Sequence, residues 1–367
     1  MWHVLRQRML CLGIVLSILS ACKAMPLPTV APTETAELPL ATLRLVWVNS
    51  YADDNPWALE IRRGIEDVLV RTGYSEDEGS LVWKAVAMNV PPGVLLPELF
   101  PLADAVSAEI QAFKPDVVIV SDDEAVRSII PRYPDQDLSF VFCGLNSNPH
   151  EGNLMRHSVT GVLEGLHPMQ NLAIARAFMG ESSTFLILSD ASTSGRIRAE
   201  RAYQTMRAEE PNTPFPGFAV TSQWERWQDA TLSAKKYDFI LLAASDFVWD
   251  DRGHRIEQTE LMAWMLEYSP VPVFAMSETA VRSGAVAGLV APGYDQGRMA
   301  AEVALRMVQG VHPTSIRFAV PARNTLVMNL AAASNWNLPI PVSFPLVAHV
   351  YTTLPNSGGY AAQQGGH

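Results

Sequence analysis

Basic residues are in the minority in this chain, where 27 Lys and Arg stand against 38 Asp and Glu among 367 residues. The resulting net charge of −11 disfavours nucleic acid and anionic membrane surfaces as partners. Long apolar runs are also lacking, because no segment after residue 21 has the length and purity of a transmembrane helix. We therefore expect a soluble mature protein, for which a hydrophobic content of 48% supplies an ample core.

The common motifs of catalysis are absent as well. The chain contains no G-x-S-x-G elbow, no Walker loop, no H-E-x-x-H pair and no G-x-G-x-x-G turn. His150, His157 and His167 are too loosely spaced, and lack a matching carboxylate pattern, to indicate a metal site. We expect neither enzymatic activity nor a metal or other cofactor.

The N-terminus carries the pattern of an exported protein. Two cations, Arg6 and Arg8, precede the apolar run Met9–Leu19, and small residues then lead directly into Cys22. A run this short, with a small-residue cleavage site, predicts a signal peptide over residues 1–21. The segment resembles a bacterial lipobox, in which Cys22 would receive lipid and become the first residue of the mature protein. An ordinary signal peptide, or a short anchor left uncleaved, is the alternative.

A lipid on Cys22 would place the protein outside the cytoplasm, anchored to a bacterial membrane on its periplasmic side or at the cell surface. Cleavage would leave 25 basic against 38 acidic residues, a net charge of −13. Of the three cysteines, Cys11 lies in the signal, so only Cys143 remains and no internal disulfide can form. Within the run Phe140–Cys143 it is expected to be a small buried apolar residue.

Two segments without a folding pattern flank an alternation of strands and helices. Residues 22–42 are rich in Pro and Thr and predict a spacer, and residues 352–367 predict a flexible tail. Predicted strands cover residues 43–48, 81–88, 116–120, 138–142, 158–162, 184–188, 217–220, 239–243, 271–275, 285–289 and 315–320. Predicted helices cover residues 57–71, 102–113, 124–130, 169–179, 194–209, 225–236, 257–268 and 297–308.

This alternation predicts an α/β protein of two doubly wound parallel-sheet lobes with a ligand cleft between them. Near-continuous Val, Ile and Leu strands separated by helices are typical of parallel sheets covered on both faces. We expect lobe one to span residues 43–162 plus about 291–315, and lobe two residues 163–290 plus about 316–351. Loops at the carboxyl ends of the strands would line the cleft, a geometry that suits hinge closure around a small molecule.

Several strand ends resemble those of one known family. Asp116–Ala125 followed by Phe140–Asn146 is similar to a signature of the ABC transporter substrate-binding protein-like family. Further matches, in the same order, are Asn49–Tyr51 with Trp57, Thr160–Val162 with Glu164, Ser189-Asp190, Ser192–Gly195, Gly297–Ala301 and Leu338–Pro341. The resemblance implies a type I periplasmic binding fold, found in free lipoproteins and in input domains of sensor kinases. One departure is Ala52, where many relatives carry His.

The strand ends and the resemblance together predict which residues bind ligand. The candidates are Asn49, Ser50, Tyr51, Trp57, Ser121, Asp122, Gly144, Asn146, Ser192, Thr193, Ser194, Ser245, Asp246, Ser277 and Glu278. Several have a purely structural alternative. Asp122 or Asp123 would cap the next helix, and we expect Asp123 to be that cap. Ser192–Ser194 open a helix whose N–H groups suit a carboxylate, or serve only as its cap. Gly144 also suits a simple turn.

The candidate set favours one ligand chemistry and leaves the biological role open. Serine hydroxyls and helix N–H groups suit a carboxylate, Asp246 or Glu278 suits an ammonium, and Tyr51 or Trp57 suits an apolar body. Together they favour an amino acid or similar zwitterion, with purine-like heterocycles next. We expect a solute-binding protein that presents its ligand to an ABC permease. The alternatives are a sensory module that signals to a membrane kinase or receptor, and an interaction protein with an empty cleft.

Overall fold

The structure, a computed structural model, describes residues 41–91, 94, 96–134, 138–150, 154, 158–211, 216–322 and 324–354. The predicted signal peptide, Cys22, nearly all of the predicted spacer, His157 and the chain beyond residue 354 lie outside these ranges. Within them, every helix is too short or too polar to cross a membrane.

The first lobe is a five-stranded sheet with helices on both faces. Its elements are β1 (Leu43–Asn49), α1 (Pro56–Arg71), β2 (Leu81–Ala87), α2 (Phe100–Phe113), β3 (Val117–Ser121), α3 (Asp123–Ile129), β4 (Ser139–Leu145) and β5 (Val159–Leu163). The strands are parallel in the order β2-β1-β3-β4-β5. Leu45 and Trp47 pack with α1 on one face, whereas Val46 and Val48 pack with α2 and α3 on the other. Because both faces are buried, apolar residues follow one another without alternation.

The second lobe repeats this plan. Its elements are α4 (Pro168–Met179), β6 (Phe185–Ser189), α5 (Thr193–Glu209), β7 (Gly217–Val220), α6 (Trp224–Leu232), β8 (Phe239–Ala244), α7 (Gln258–Tyr268), β9 (Val273–Ala275) and α8 (Glu278–Arg282). The strands are parallel in the order β7-β6-β8-β9. The prediction of two parallel, doubly wound sheets is confirmed for these two lobes.

The last segment of the chain corrects two predictions. Its elements are β10 (Ala287–Val290), α9 (Gly293–Val308), β11 (Thr325–Asn329), α10 (Leu330–Asn335), α11 (Phe344–Val347) and β12 (His349–Tyr351). The predicted strand over residues 315–320 is wrong, because this segment contributes only an isolated bridge between Ala319 and Val162. The expectation of parallel strands throughout is wrong for β10 and β11, which are antiparallel. The chain leaves β10 for α9, crosses back past Val162 and enters β11 from the opposite end.

Helix α9 lies against α1 of the first lobe at very short range. A Cβ atom added at Gly64 would lie 2.1 Å from the Tyr294 carbonyl oxygen, and one added at Gly297 would lie 1.9 Å from the Ile61 carbonyl oxygen. Only glycine permits this approach of two helix backbones. The contact brings a late segment of the chain back to the first lobe.

Candidate functional site

The two lobes meet at the carboxyl ends of their strands, and they are closed on each other. The backbone N–H of Ser194, in the first turn of α5, donates to Glu124 Oε1 of α3 at 3.1 Å. Tyr51 follows β1 and Phe247 follows β8, and their ring centroids lie 5.3 Å apart. A space of about 10 Å³ remains beside Tyr51, Glu124 and Phe247. A buried interface thus occupies the place where the sequence predicted a cleft.

Asp122 has an unusual backbone conformation at the end of β3. Its φ of 72° and ψ of 159° lie in a region that residues with side chains rarely adopt. Asp122 Oδ1 accepts a hydrogen bond from Trp57 Nε1 at 2.8 Å, whereas Asp122 Oδ2 has no hydrogen-bond partner among the described residues. Gly144 makes room for this carboxylate, since a Cβ there would lie 2.7 Å from Asp122 Oδ1.

The electrostatic environment of Asp122 disfavours its charged form. Burial is the main cause that raises the pKa of Asp122 well above its ordinary value, and the hydrogen bond from Trp57 opposes it. The nearby charges of Glu124 and Glu164 raise this pKa further. A strained, buried acid with one unpartnered oxygen is a feature of functional sites.

The N-terminus of α3 is capped by a residue from another strand end. Ser50 Oγ accepts from the backbone N–H of Ala125 at 2.9 Å. The prediction that Asp123 caps this helix is therefore wrong, because Asp123 is already its first residue. The Asp123 carboxylate instead accepts from the backbone N–H groups of Asn146 at 3.0 Å and Ser147 at 2.8 Å. It thereby holds the loop that follows β4.

Glu124 joins the two lobes. Among the contacts described, it is the one acid of the first lobe that bonds directly to a helix terminus of the second lobe. Its Oε1 accepts from Ser194, and its Oε2 has no partner in the described part of the chain. Burial, assisted by the charge of Asp123, raises the pKa of Glu124 to about 7. The backbone N–H of Ser194 opposes this rise. Glu124 therefore titrates near neutral pH.

Asp190, after β6, does in the second lobe what Asp123 does in the first. Its Oδ2 accepts from the backbone N–H groups of Asp246 at 3.0 Å and Phe247 at 3.2 Å. Its Oδ1 accepts from the N–H and the hydroxyl of Ser192. Each lobe therefore uses one buried carboxylate to fix the loop after the neighbouring strand.

Asn146 joins the two lobes through its amide. Its Nδ2 donates to Glu164 Oε2 and, at 3.3 Å, to Ser194 Oγ. Glu164 also binds Arg198 of α5 at 3.0 Å, and Arg198 donates to the Met276 carbonyl oxygen at 2.8 Å. Burial raises the pKa of Glu164, and the charge of Arg198 opposes this rise. Asn146 Oδ1 has no hydrogen-bond partner within the described ranges.

Asp246 and Tyr51 complete the acidic surroundings. Burial raises the pKa of Asp246 to about 6, with the charge of Asp190 adding to the shift and the charges of two arginines opposing it. Burial also raises the pKa of the Tyr51 phenol well above its ordinary value, and the charges of Glu124, Asp122, Asp123 and Asp246 add to this rise. Tyr51 therefore stands within electrostatic reach of acids from both lobes.

Part of the predicted ligand-binding set meets in this interface. These residues are Tyr51, Trp57, Asp122, Gly144, Asn146, Thr193, Ser194 and Asp246. Thr193 lines the small space beside Glu124, and so does Ser192, which also caps α5. The sequence analysis did not predict Asp123, Glu124, Glu164, Asp190 or Arg198 as members of the site. The four acids among them could have been predicted from their positions, because each follows a buried strand within three residues.

The other predicted residues hold local structure. Ser121 Oγ accepts from Trp47 Nε1 at 3.1 Å inside the first lobe, where its hydroxyl is fully buried. The Asn49 side chain bonds the Tyr51 backbone, Ser50 caps α3, Ser192 caps α5, and Ser277 caps α8. Ser245 Oγ donates to Gln258 Oε1, and Glu278 Oε1 accepts from the Tyr351 hydroxyl at 2.6 Å. Cys143 is fully buried, as predicted.

A larger cavity opens beside the aromatic pair. Its volume is about 720 Å³, and its wall includes Tyr51, Asn55, Asn89, Phe247 and Trp249. Tyr51 and Phe247 also border the small space beside Glu124. These two rings therefore separate the acidic interface from a roomier, mainly apolar cavity between the lobes.

Comparison with known proteins agrees with this architecture. Residues 256–346 match the model of the ABC transporter substrate binding protein family. No curated protein matches the sequence. The fold is that of type I periplasmic binding proteins, as the sequence predicted.

Three solved structures illustrate the likeness. An ABC domain from Streptococcus pneumonia in complex with L-Trp is 16% identical, with a TM-score of 0.67 over 85% of this chain and 100% of that one. A conserved domain protein from Vibrio cholerae is 18% identical, with a TM-score of 0.66 over 85% and 100%. The ligand-free, open structure of a substrate binding protein with adhesive properties from Clostridium difficile is 13% identical, with a TM-score of 0.62 over 85% and 100%.

Proposed function

We propose that this protein is an extracytoplasmic solute-binding protein that captures a small organic molecule between its two lobes. The observation that carries the proposal is the closed interface itself. Asp122 and Glu124 are buried there at 2% and 3% exposure, and each keeps one oxygen without a hydrogen-bond partner among the described residues. Buried polar atoms normally have partners, so these oxygens suit the donors of a bound solute.

Lobe closure supplies the mechanism of capture. The solute would bind the strand ends of one lobe, and closure would then bring α5 and the loop after β8 over it. Binding favours the closed form only to the extent that the solute contacts both lobes. Residues from both lobes already surround the site, with Asp122 and Glu124 on one side and Ser194 and Asp246 on the other.

The site supports the ammonium group of the expected zwitterion better than its carboxylate group. Acids at the interface suit an ammonium, and the bound L-Trp in the related pneumococcal structure is an amino acid. The helix N-terminus that the sequence analysis assigned to a carboxylate is bonded to Glu124 instead. The ammonium half is therefore the better supported of the two.

We further propose that Cys22 anchors the protein by lipid and that an ABC permease receives the solute. The signal pattern before Cys22 supports the first step, and the family match over residues 256–346 supports the second. Cys22→Ser is expected to release the protein from membranes or to leave the uncleaved precursor, measured by fractionation and mass spectrometry of the intact chain. Unchanged processing and membrane partitioning would contradict lipidation.

Native mass spectrometry of the gently purified protein tests solute capture. We expect a small molecule bound at one copy per chain, released when the protein is unfolded and identified by its mass. Solution scattering before and after removal of the solute should show lobe opening. A protein that retains no solute from any host extract, and whose scattering does not change with extract added, would contradict the proposal.

A further inference from the structure

The acids of the interface fall into two groups by their hydrogen bonds. Asp123 and Asp190 each accept from two backbone N–H groups of a neighbouring loop, and Glu164 binds Arg198 at 3.0 Å. These three carboxylates are compensated within the protein. Asp122 and Glu124 are not, because Asp122 Oδ2 and Glu124 Oε2 lack a partner in the described part of the chain. A buried, incompletely bonded carboxylate is unfavourable unless a donor reaches it.

A neutral acceptor belongs to the same set. Asn146 is 1% exposed, its Nδ2 donates to Ser194 Oγ at 3.3 Å, and its Oδ1 has no partner within the described residues. Unpartnered donors are present as well among the described residues. Arg198 Nε is one, although its guanidinium already binds Glu164 and the Met276 carbonyl. Two others near the interface are Trp249 Nε1, in the wall of the larger cavity, and Gln258 Nε2, beside Ser245. Among the residues that surround the contact between Glu124 and Ser194, the unpartnered oxygens of Asp122, Glu124 and Asn146 are acceptors, whereas the unpartnered donors Trp249 Nε1 and Gln258 Nε2 belong to the loop after β8 and to α7.

The N-terminus of α5 would suit a ligand carboxylate best, but its N–H groups are already bonded and acids lie close to it. At the N-terminus of α5, the N–H of Ser194 donates to Glu124 and the N–H of Gly195 donates to Ser192 Oγ. An incoming carboxylate would have to displace Glu124, and it would then approach Asp122 and Asp246. Like charges at this range in a buried site raise the free energy of binding.

The aromatic pair provides a path for the rest of the molecule. Tyr51 and Phe247 border both the small space beside Glu124 and the cavity of about 720 Å³. A body that passes these two rings, which are in contact in the closed form, would extend toward Trp249, which lines that cavity. Aromatic rings also favour a cation held over their faces.

We infer that the ligand is a protonated amine on an apolar or aromatic body, without a carboxylate, bound through its N–H groups by Asp122, Glu124 and Asn146. This inference rests on the proposed function and narrows it. An ammonium offers three donors, and Asp122 Oδ2, Glu124 Oε2 and Asn146 Oδ1 offer three acceptors. Burial also raises the pKa values of both carboxyl groups, as expected for acids without a cationic partner.

Decarboxylated pairs test the inference directly. Calorimetry would compare tryptamine with L-tryptophan, and phenethylamine with L-phenylalanine, on the full-length protein stripped of bound solute. Each amine is expected to bind at least about tenfold more tightly than its parent amino acid, since one charge repulsion in a buried site corresponds to a factor of that order. Glu124→Gln and Asp122→Asn should each weaken amine binding by about tenfold or more. Glu267→Gln, an exposed acid on α7, is the matched control and should bind as the unaltered protein does.

The outcomes separate this inference from the proposed function. Amino acids that bind as tightly as the amines would overturn the amine class and leave solute capture intact. Tighter L-tryptophan binding by Glu124→Gln would also overturn it, because Glu124 would then be occupying the place of a ligand carboxylate. If neither amine binds, the amine class is also overturned. Native mass spectrometry then tests solute capture independently. Circular dichroism verifies that each isosteric variant is folded.

Discussion

Two neighbouring aspartates have opposite roles at the edge of the first lobe. Asp123 accepts two backbone N–H groups and fixes the loop after β4. Asp122 receives one hydrogen bond, from Trp57, and sits at φ 72° in a conformation that stores strain. The carboxylate of Asp123 is thus fully used within the protein, whereas that of Asp122 keeps one oxygen without a partner among the described residues. Backbone geometry, which the sequence does not display, creates this difference.

Replacement of Asp122 by an uncharged residue of the same shape should show how much its buried charge destabilises the folded protein at high pH. Because its pKa is raised in the folded protein, the folded state holds a proton that the unfolded state releases at lower pH. Stability therefore falls as pH rises through this range, and an uncharged isostere removes that loss. We expect Asp122→Asn to gain stability relative to the unaltered protein as the pH rises from 5 to 8, because burial raises the pKa of Asp122 and the variant carries no charge to bury. Urea unfolding at both pH values measures it, and a stability difference that is the same at both pH values would contradict it.

Gly144 should be intolerant of even a methyl group. Its φ is 65°, and a Cβ would lie 2.7 Å from Asp122 Oδ1. Gly310 also has a positive φ, of 92°, but a Cβ there meets nothing within 4 Å. Gly310→Ala therefore reports backbone strain alone, of about 1 kcal/mol, and Gly144→Ala should lose about 1–2 kcal/mol more. Denaturant titrations of both variants give the comparison, and equal losses would show that the Asp122 contact is easily relaxed.

Regular elements follow closely from the local sequence, whereas their pairing at the end of the chain does not. Apolar runs such as Val117–Ser121 and the caps at Asn55 and Ser192 mark strands and helices to within a few residues. The segment over residues 315–320 carries apolar side chains at alternate positions, Ile316, Phe318 and Val320, and still forms no strand. The neighbours of this segment in space depend on where the chain crosses between the lobes. Pairing with a partner strand is therefore a tertiary property that the local sequence does not determine.

The candidate site divides in the same way. Sequence position predicts that strand ends such as Asp122, Asn146 and Asp246 gather at one edge. It does not predict which carboxylates are compensated, because that depends on N–H groups and arginines from distant elements. Glu124 shows this best, since its partner is Ser194 in the other lobe.

Closure of α3 against α5 should depend on pH. In the closed form, burial raises the pKa of Glu124 to about 7 and that of Asp246 to about 6. In an open form, exposure to water would return both toward ordinary values. The closed form therefore binds more protons, so closure without ligand weakens as pH rises from about 4.5 to about 7, by up to about 3 kcal/mol for Glu124.

Solution scattering of the solute-free protein measures this closure. The radius of gyration is expected to increase between pH 5 and pH 8. Glu124→Gln, which cannot lose a proton, should show a smaller increase, and Glu267→Gln should behave as the unaltered protein does. Arg198 and Arg201 face the same interface from α5, where Arg198 binds Glu164 and Arg201 donates to the Asn146 carbonyl oxygen. A radius that is constant or decreases with pH would contradict the expectation.

The net negative charge of the whole molecule would attract the same kind of ligand, a cation, as the acids of the candidate site. Acidic residues exceed basic ones by 11, and the incompletely bonded acids Asp122 and Glu124 lie between the lobes, where an open cleft with low-dielectric walls would focus the field. An amine cation would be drawn toward this cleft before any contact forms. For the proposed amine ligand, the net charge of the chain and the unpartnered oxygens of Asp122 and Glu124 would favour the same sign of ligand.

This long-range attraction predicts a salt-dependent association rate for the proposed amine. Raising the ionic strength from 0.01 M to 0.15 M shortens the screening length from about 30 Å to about 8 Å, so steering weakens while the buried contacts at Asp122 and Glu124 persist. We expect the association rate constant of tryptamine, followed by intrinsic tryptophan fluorescence in a stopped-flow instrument, to fall several-fold. The dissociation rate constant should change little. Glu124→Gln should instead raise the dissociation rate constant, because it removes a contact within the closed site. An association rate constant insensitive to salt would show that the net charge plays no part in capture.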